Sequence, residues 1–376
     1  MNPQLISARA KGLSPYTPGE QPQNRKFIKL NTNENPYPPA PGVGEALATF
    51  PAEELRLYPD PASMELREKI ARSFGYTREE VFVGNGSDEV LSFAFYGFFD
   101  PARGPVLFPE FTYSFYPVYC SYYGLEYRKI PLAPDFSVDL QPYLDEKDHA
   151  GIALPNPNAP TGSALPLRDI EAFLEKYPGD RIFILDEAYV DFGAESCSGL
   201  IRRFPNLLVV HTFSKSRSLA GLRVGYALGD PFLIRTLETI KDSFNSYPLD
   251  RLSQRLALRA LEDRDYFEEN RRKIIAVRNK TTRALEGMGW RVLPSRANFI
   301  FAELPGREGR EIYRILKDKG ILVRHFMQEG IQNFLRISMG TNEEMEEFLE
   351  KIRDLGLTAE SHTGGNTSTQ TEEKND

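Results

Sequence analysis

From about residue 64, short apolar runs rich in Val, Ile, Leu and Phe alternate with stretches whose apolar positions recur at helical spacing. Such runs predict strands buried on both faces, and their alternation with amphipathic stretches predicts an α/β fold, a mostly parallel sheet wrapped by helices. Strands are expected at Val81–Val83, Val106–Phe108, Gly151–Leu154, Ile182–Leu185, Leu207–His211 and Gly225–Leu228, with helices such as Asp88–Phe99 and Leu167–Tyr177 between them. After Pro248 the stretch Arg251–Met288 is highly charged yet keeps helical spacing, which predicts one or two connecting helices. Strand-like Asn298–Ala302 and Phe334–Ile337 then flank a helix at Arg310–Lys319, and Glu343–Leu355 repeats apolar residues at helical intervals, giving a small α+β unit.

The two ends of the chain lack these patterns. The first forty residues are rich in Pro, Asn and Gly and show neither period, so they are expected to run as an extended arm. Thr358–Asp376 is almost entirely polar and is expected to be a disordered tail. The expected organisation is an arm (1–40), a large domain (41–250), connecting helices (251–288), a small domain (289–357) and the tail (358–376). With 376 residues, 41% of them hydrophobic, the chain can bury the cores that two domains require. A net charge of −7 without a Lys/Arg-rich block argues against nucleic acid as a partner. The beginning lacks the apolar stretch of about 7–15 residues that a secretory signal needs, and no run reaches the ~20 of a membrane helix. A cytoplasmic protein is expected, with no membrane partner. Cys120 and Cys197 fit no metal or disulfide spacing, and no metal is expected.

Chemistry concentrates in Thr212–Tyr226, TFSKSRSLAGLRVGY, where Lys215 follows a buried strand among small hydroxylated residues and Arg223 follows eight positions later. A lone lysine is ordinarily a solvated surface group, and it is the company of this one that matters. In RIFILDEAYVDF an apolar strand ends at Asp186, with Tyr189 three residues on. Ligands in open α/β sheets sit at the carboxyl ends of strands, where Asp186 should emerge. In VGNGSDEV a strand breaks at Gly84 and Gly86 and a helix opens at Ser87 and Asp88, offering free N–H groups and a positive dipole end to an anion. Thr212, Ser214 and Arg223 add side-chain donors for the same anion. An amine for an imine, donors for a phosphate and a carboxylate for a ring nitrogen are what pyridoxal 5'-phosphate requires.

The ordered set NGSDE, PTG, DEAY, SK and GLR resembles that of the fold type I aminotransferases. With PYTPGEQP (Pro15–Pro22), LNTNENP (Leu30–Pro36), LYPDP (Leu57–Pro61), ILVRHF and FLRISMGT, the chain from about residue 13 to 355 is similar to the histidinol-phosphate aminotransferases within that superfamily. The resemblance implies a seven-stranded sheet in the large domain and assigns roles. Lys215 would carry the cofactor as an imine and move the proton at the substrate's Cα. Asp186 would hold the pyridine nitrogen protonated, Tyr189 would bond the ring hydroxyl and Tyr113 would stack on the ring. Gly86, Ser87, Asp88, Thr212, Ser214 and Arg223 would hold the phosphate. Tyr58 would reach the phosphate of a neighbouring subunit, which implies a homodimer. Tyr16, Asn33, Asn35, Arg324 and Arg336 would line a pocket for histidinol phosphate and for 2-oxoglutarate or glutamate. The superfamily places Asn before Pro-Thr-Gly, whereas NPNAPTG has Ala159 there, so Asn158 is expected to substitute through a shifted backbone. Alternatives are an aromatic amino acid aminotransferase, a threonine-phosphate decarboxylase and, outside enzymology, an amine-sensing regulatory domain. The last would need a DNA-binding module for which neither end leaves room.

Overall fold

The computed structural model describes residues 3–21 and 26–359, so the polar tail expected after Thr358 lies, from residue 360, outside the described residues. The chain first contributes β1 (Ile28–Leu30) to a smaller sheet. It then builds a larger one from β2 (Val81–Asn85), β3 (Val106–Pro109), β4 (Tyr127–Ile130), β5 (Gly151–Pro155), β6 (Ile182–Asp186), β7 (Leu207–Thr212) and β8 (Val224–Leu228). It returns to the smaller sheet with β9 (Arg291–Val292), β10 (Phe299–Glu303), β11 (Ile321–His325) and β12 (Leu335–Ser338). The larger sheet runs β2-β8-β7-β6-β5-β3-β4 and the smaller β1-β11-β12-β10-β9. The larger sheet is the seven-stranded, mostly parallel one that the resemblance implied.

The central strands are buried along their whole length because helices cover both faces. Their side chains alternate between two cores. Phe183, Leu185, Leu207 and Val209 enter one, and Ile182, Ile184, Leu208 and Val210 enter the other. The helix expected over Leu167–Tyr177 stops at Leu174, and Tyr177 turns inward to donate to the Ile182 carbonyl at 3.2 Å. The connecting region is two helices, Arg251–Glu262 and Arg264–Glu286. Asp263 ends the first, and its side chain caps the second by accepting from the Tyr266 amide. A capping box of Thr341 and Glu344 starts the last helix, Asn342–Asp354.

The first forty residues are not simply extended. They contain a short helix, Ala8–Lys11, and β1, which pairs parallel with β11 so that Ile28 faces Ile321 and Leu30 faces Val323. A three-residue strand is too short to register as a period, and its partner lies almost three hundred positions away.

Topology fixes where a site can form. In the larger sheet only β8 runs against its neighbours, pairing antiparallel with β2 and β7. The carboxyl ends of β2, β6 and β7 therefore share one edge with the start of β8. Asn85 lies opposite Val224, and Thr212 opposite Gly225. At that edge the helix Gly86–Phe98 begins directly against β8: a β-carbon on Gly225 would lie 2.2 Å from the Ser87 nitrogen. Gly225→Ala must push the helix start off the strand. It should cost about 1–3 kcal/mol, the usual range for overpacking, read as a lower midpoint in urea unfolding. An unchanged midpoint would show that the helix start yields freely.

Candidate active site

Ser87, Asp88, Tyr113, Asp186, Tyr189, Thr212, Ser214, Lys215 and Arg223 line one cavity at this edge. At one end of it lies a cup for an anion. Gly86 opens the helix with φ +76°, and a β-carbon there would stand 2.5 Å from Arg223 Nη2. The missing side chain is what lets the guanidinium lie against the helix start. Arg223 is itself left-handed (φ 54°, ψ 57°), and its Nη1 donates to Ser214 Oγ at 3.4 Å. The Ser214 amide donates to Thr212 Oγ1 at 3.1 Å, which folds the turn so that both hydroxyls and the guanidinium converge. Two side-chain hydroxyls, a guanidinium and a helix N-terminus fit a phosphate dianion. Asp88 is tied into this end by its side chain: Oδ2 accepts from Arg223 Nη2 at 2.9 Å and Oδ1 from the Tyr113 hydroxyl at 2.7 Å.

At the other end stands Asp186, buried where β6 terminates. It accepts from the Ala188 amide at 3.1 Å and from the Tyr116 hydroxyl at 3.2 Å. Burial outweighs these donors and pushes its carboxyl up from 3.8 to about 6. Lys215 Nζ donates to the Thr32 carbonyl at 3.3 Å and lies 5.7 Å from the centre of the Tyr189 ring. The Tyr189 hydroxyl accepts from Asn33 Nδ2 at 3.0 Å, so its own proton stays available to a further acceptor. Asn33 is left-handed (φ 57°) and is held by Ser338, whose hydroxyl accepts from the Asn33 amide at 2.9 Å and donates to Oδ1 at 2.8 Å.

An adjoining cavity shares Asp88, Tyr113, Tyr189, Lys215 and Arg223 with the first and adds Tyr16, Asn33, Arg324 and Arg336. Arg336, on β12, donates through Nη2 to the Asn31 carbonyl at 2.9 Å, while its Nε is buried with no partner. Burial lowers its proton affinity from the ordinary guanidinium value. Arg324, partly exposed, reaches the arm: its guanidinium donates to the Thr17 and Pro18 carbonyls, each at 3.3 Å. Tyr16 packs on Phe115 with ring centres 4.9 Å apart.

Two expected residues, Asn35 and Asn158, serve other contacts, and Tyr58, expected to serve a neighbouring subunit, lies outside its own chain's cavity. Asn35 does not line the pocket; its amide donates to the Lys215 and Ser216 carbonyls at 3.1 and 3.2 Å, pinning the lysine's turn. Asn158 does not take the place of the missing asparagine, because its amide is spent on the Phe111 carbonyl (2.9 Å) and Thr161 Oγ1 (3.0 Å), and Ala159 faces the cavity. Tyr58 is 77% exposed, away from the cavity of its own chain, and stacks on Tyr247 at 4.6 Å. Tyr116 went unnoticed in the sequence. Its only local sign is the second tyrosine of FTYSFY, three residues after Tyr113.

The chain belongs to the family "Aminotransferase class I and II", whose profile matches residues 25–352; it is a pyridoxal-phosphate-dependent transferase of amino groups. Within that family it is similar to histidinol-phosphate aminotransferases. It is 54% identical to the one from Syntrophus aciditrophicus, over 93% of this chain and 98% of the relative. It is 51% identical to that of Chromohalobacter salexigens, over 92% and 97%. The crystal structure of histidinol-phosphate aminotransferase from Sinorhizobium meliloti in complex with pyridoxal-5'-phosphate superposes with a TM-score of 0.80 at 28% identity, covering 88% of this chain and 92% of that one.

The buried Asp186 has a pH signature. Its folded proton affinity exceeds the unfolded one, so its contribution to stability is fully present below about pH 4 and is lost as pH rises through about 6. In the cofactor-free chain, Asp186→Asn should therefore gain stability relative to the parent between pH 4 and 7. The gain should be at most about 3 kcal/mol, given about 1.4 kcal/mol per unit. Urea unfolding across that range reads it, and a flat difference would mean that the carboxyl ionises normally.

Proposed function

We propose that the protein is a histidinol-phosphate aminotransferase of histidine biosynthesis. It would convert L-histidinol phosphate and 2-oxoglutarate to imidazole-acetol phosphate and L-glutamate, reversibly, in the cytoplasm. Among the described residues no helix is long and apolar enough to cross a membrane. The observation that carries the substrate reading is Arg336. A half-buried guanidinium whose Nε is shielded and unpaired, with no carboxylate partner among the described residues, stands on a cavity wall shared with Lys215 and is costly unless an anion arrives to pair with it. Histidinol phosphate brings a phosphate and glutamate a carboxylate, and one planar fork accepts either.

Pyridoxal 5'-phosphate, when bound, supplies an electron-accepting ring that makes the substrate's Cα proton acidic. Ser87, Thr212, Ser214 and Arg223 would hold its phosphate, Asp186 its ring nitrogen and Tyr189 its ring hydroxyl, while Tyr113 covers the ring. A positive ring nitrogen beside Asp186 favours the carboxylate over the neutral acid. Lys215 Nζ, the one amine among the described residues lining either cavity, would take up and return the proton at the substrate's Cα. Asn35 holds the lysine's backbone, so the amine swings on a fixed base. Asn33 and Ser338 fix Tyr189. Tyr16 and the arm close the outer wall and limit water.

Single-turnover reaction with separate donors tests the reading. Histidinol phosphate and glutamate should react faster than phenylalanine, and Arg336→Lys, which keeps the charge but loses the fork, should slow both by roughly one to two powers of ten. Phenylalanine as the preferred donor would favour the aromatic reading instead.

The same reading makes the enzyme a two-fold homodimer. Tyr58 stacks on Tyr247, and both are exposed, as are Leu55 and Leu57 close by in the chain; Tyr58 does not line its own chain's cavity. Tyr58 would complete the partner's phosphate cup. Mixing inactive Lys215→Ala with Tyr58→Ala should then restore activity through hybrid dimers that hold one intact site. A fully active monomer in sedimentation would refute this.

A further inference from the structure

The segment FTYSFYPVY spaces three tyrosines three residues apart, and the fold divides their hydroxyls between two aspartates, Asp88 and Asp186. Tyr113 donates to Asp88 Oδ1 at 2.7 Å and Tyr119 to the Asp88 carbonyl at 2.9 Å. Tyr116, the first residue of the helix Tyr116–Tyr123, reaches Asp186 Oδ2 instead, at 3.2 Å. It is wholly buried, its ring packed among Phe95 (5.5 Å), Phe108 (5.8 Å) and Tyr113 (5.8 Å, edge-on), and its hydroxyl meets Asp186.

We propose that Tyr116 is the positioning residue for Asp186: its hydroxyl fixes Oδ2 and favours the charged carboxylate at the place where the cofactor's ring nitrogen would bind. This rests on the reading of Asp186 as the ring-nitrogen partner. The physical case is that both hydrogen bonds to Asp186, from Tyr116 and from the Ala188 amide, come from donors, one to each oxygen. Donors stabilise the ionised form over the neutral acid. They work against burial, which raises the proton affinity, and against Asp88 on the helix Gly86–Phe98, which raises it further; His211 on β7 acts in the same direction as the donors. Tyr113 and Tyr119 contribute no hydroxyl to Asp186, theirs being committed to Asp88. The backbone donor cannot be varied by ordinary substitution, so Tyr116 is the one side chain of the pair open to change.

The test is Tyr116→Phe, which keeps the ring and deletes the donor. In the full-length, cofactor-free chain, the carboxylic C=O stretch that disappears in Asp186→Asn is followed by infrared difference spectroscopy against pH. The midpoint should rise by about one unit, the scale of a lost donor to a charged group. With cofactor, kcat for histidinol phosphate should fall about tenfold while KM changes little. If Tyr116→Phe folds poorly, 2,3-difluorotyrosine at position 116 makes a stronger donor and should lower the midpoint. A midpoint that stays put while thermal stability drops would overturn the proposal and leave Tyr116 a packing residue. The titration does not depend on the cofactor. A shifted midpoint in a protein that transfers no amino group would therefore sink the functional reading and leave the Tyr116 coupling intact.

Discussion

A backbone approach with no room for a β-carbon joins the start of the helix Gly86–Phe98 to β8 at Gly225, and much of the site hangs on it. Because β8 runs against its neighbours, Arg223 just ahead of it arrives at the same edge as Asp186 and the turn after β7. The close approach brings that arginine under the helix's free N–H groups, and Gly86 leaves space for its guanidinium. Two glycines and one reversed strand thus bring together, from segments far apart in the sequence, the donors that a phosphate needs. A β-carbon on Gly225 would push back the helix start itself, and one on Gly86 would push away the Arg223 guanidinium.

The electrostatics follow from the same packing. Asp88 faces the cup through its bonds to Tyr113 and Arg223, so one end of the cavity is neutralised from within. At the opposite end Asp186 is so deeply buried that its proton is held to about pH 6, and a positive partner is needed to restore the charge. Arg336 is the converse: a half-buried cation that lines a cavity with its Nε shielded and unpaired. Each buried charge lacks the partner that a cofactor or substrate of opposite sign would supply, so ligand binding completes the ion pairing that folding leaves open.

What the sequence made legible follows physical lines. β5, β6 and β7 announce themselves because burial on both faces demands unbroken apolar runs, and Asp186, Lys215 and Arg223 stand out as polar residues where such runs stop. β4, Tyr127–Ile130, is an edge strand with three exposed residues and reads as a polar loop. β1 is three residues long and carries no period. Side-chain partners are harder still. Asn35 looks like a pocket residue until the fold brings the Lys215 carbonyl beside it from 180 positions away. Asn158 looks like a replacement for Ala159's missing amide until Phe111, 47 positions earlier, claims it. Nothing in FTYSFY says that its two tyrosines serve different carboxylates. A sequence pattern reports burial and period; the direction of one hydroxyl depends on the packing of distant segments.

The pairing of β1 with β11 sets an order for the birth of the molecule. During synthesis the large sheet can close once β8 has emerged, but Ile28–Leu30 must wait for Ile321–His325 before it finds its place. Asn31 and Asn33 follow β1 directly, and they meet Arg336 and Ser338 on the strand next to β11. The wall of the second cavity is therefore assembled from segments about three hundred positions apart. A nascent polypeptide holds its cofactor-side strands long before it has a pocket, and a chain interrupted before β12 has neither Arg336 nor the serine that locks Asn33. Completion of the pocket reports that synthesis has passed β12.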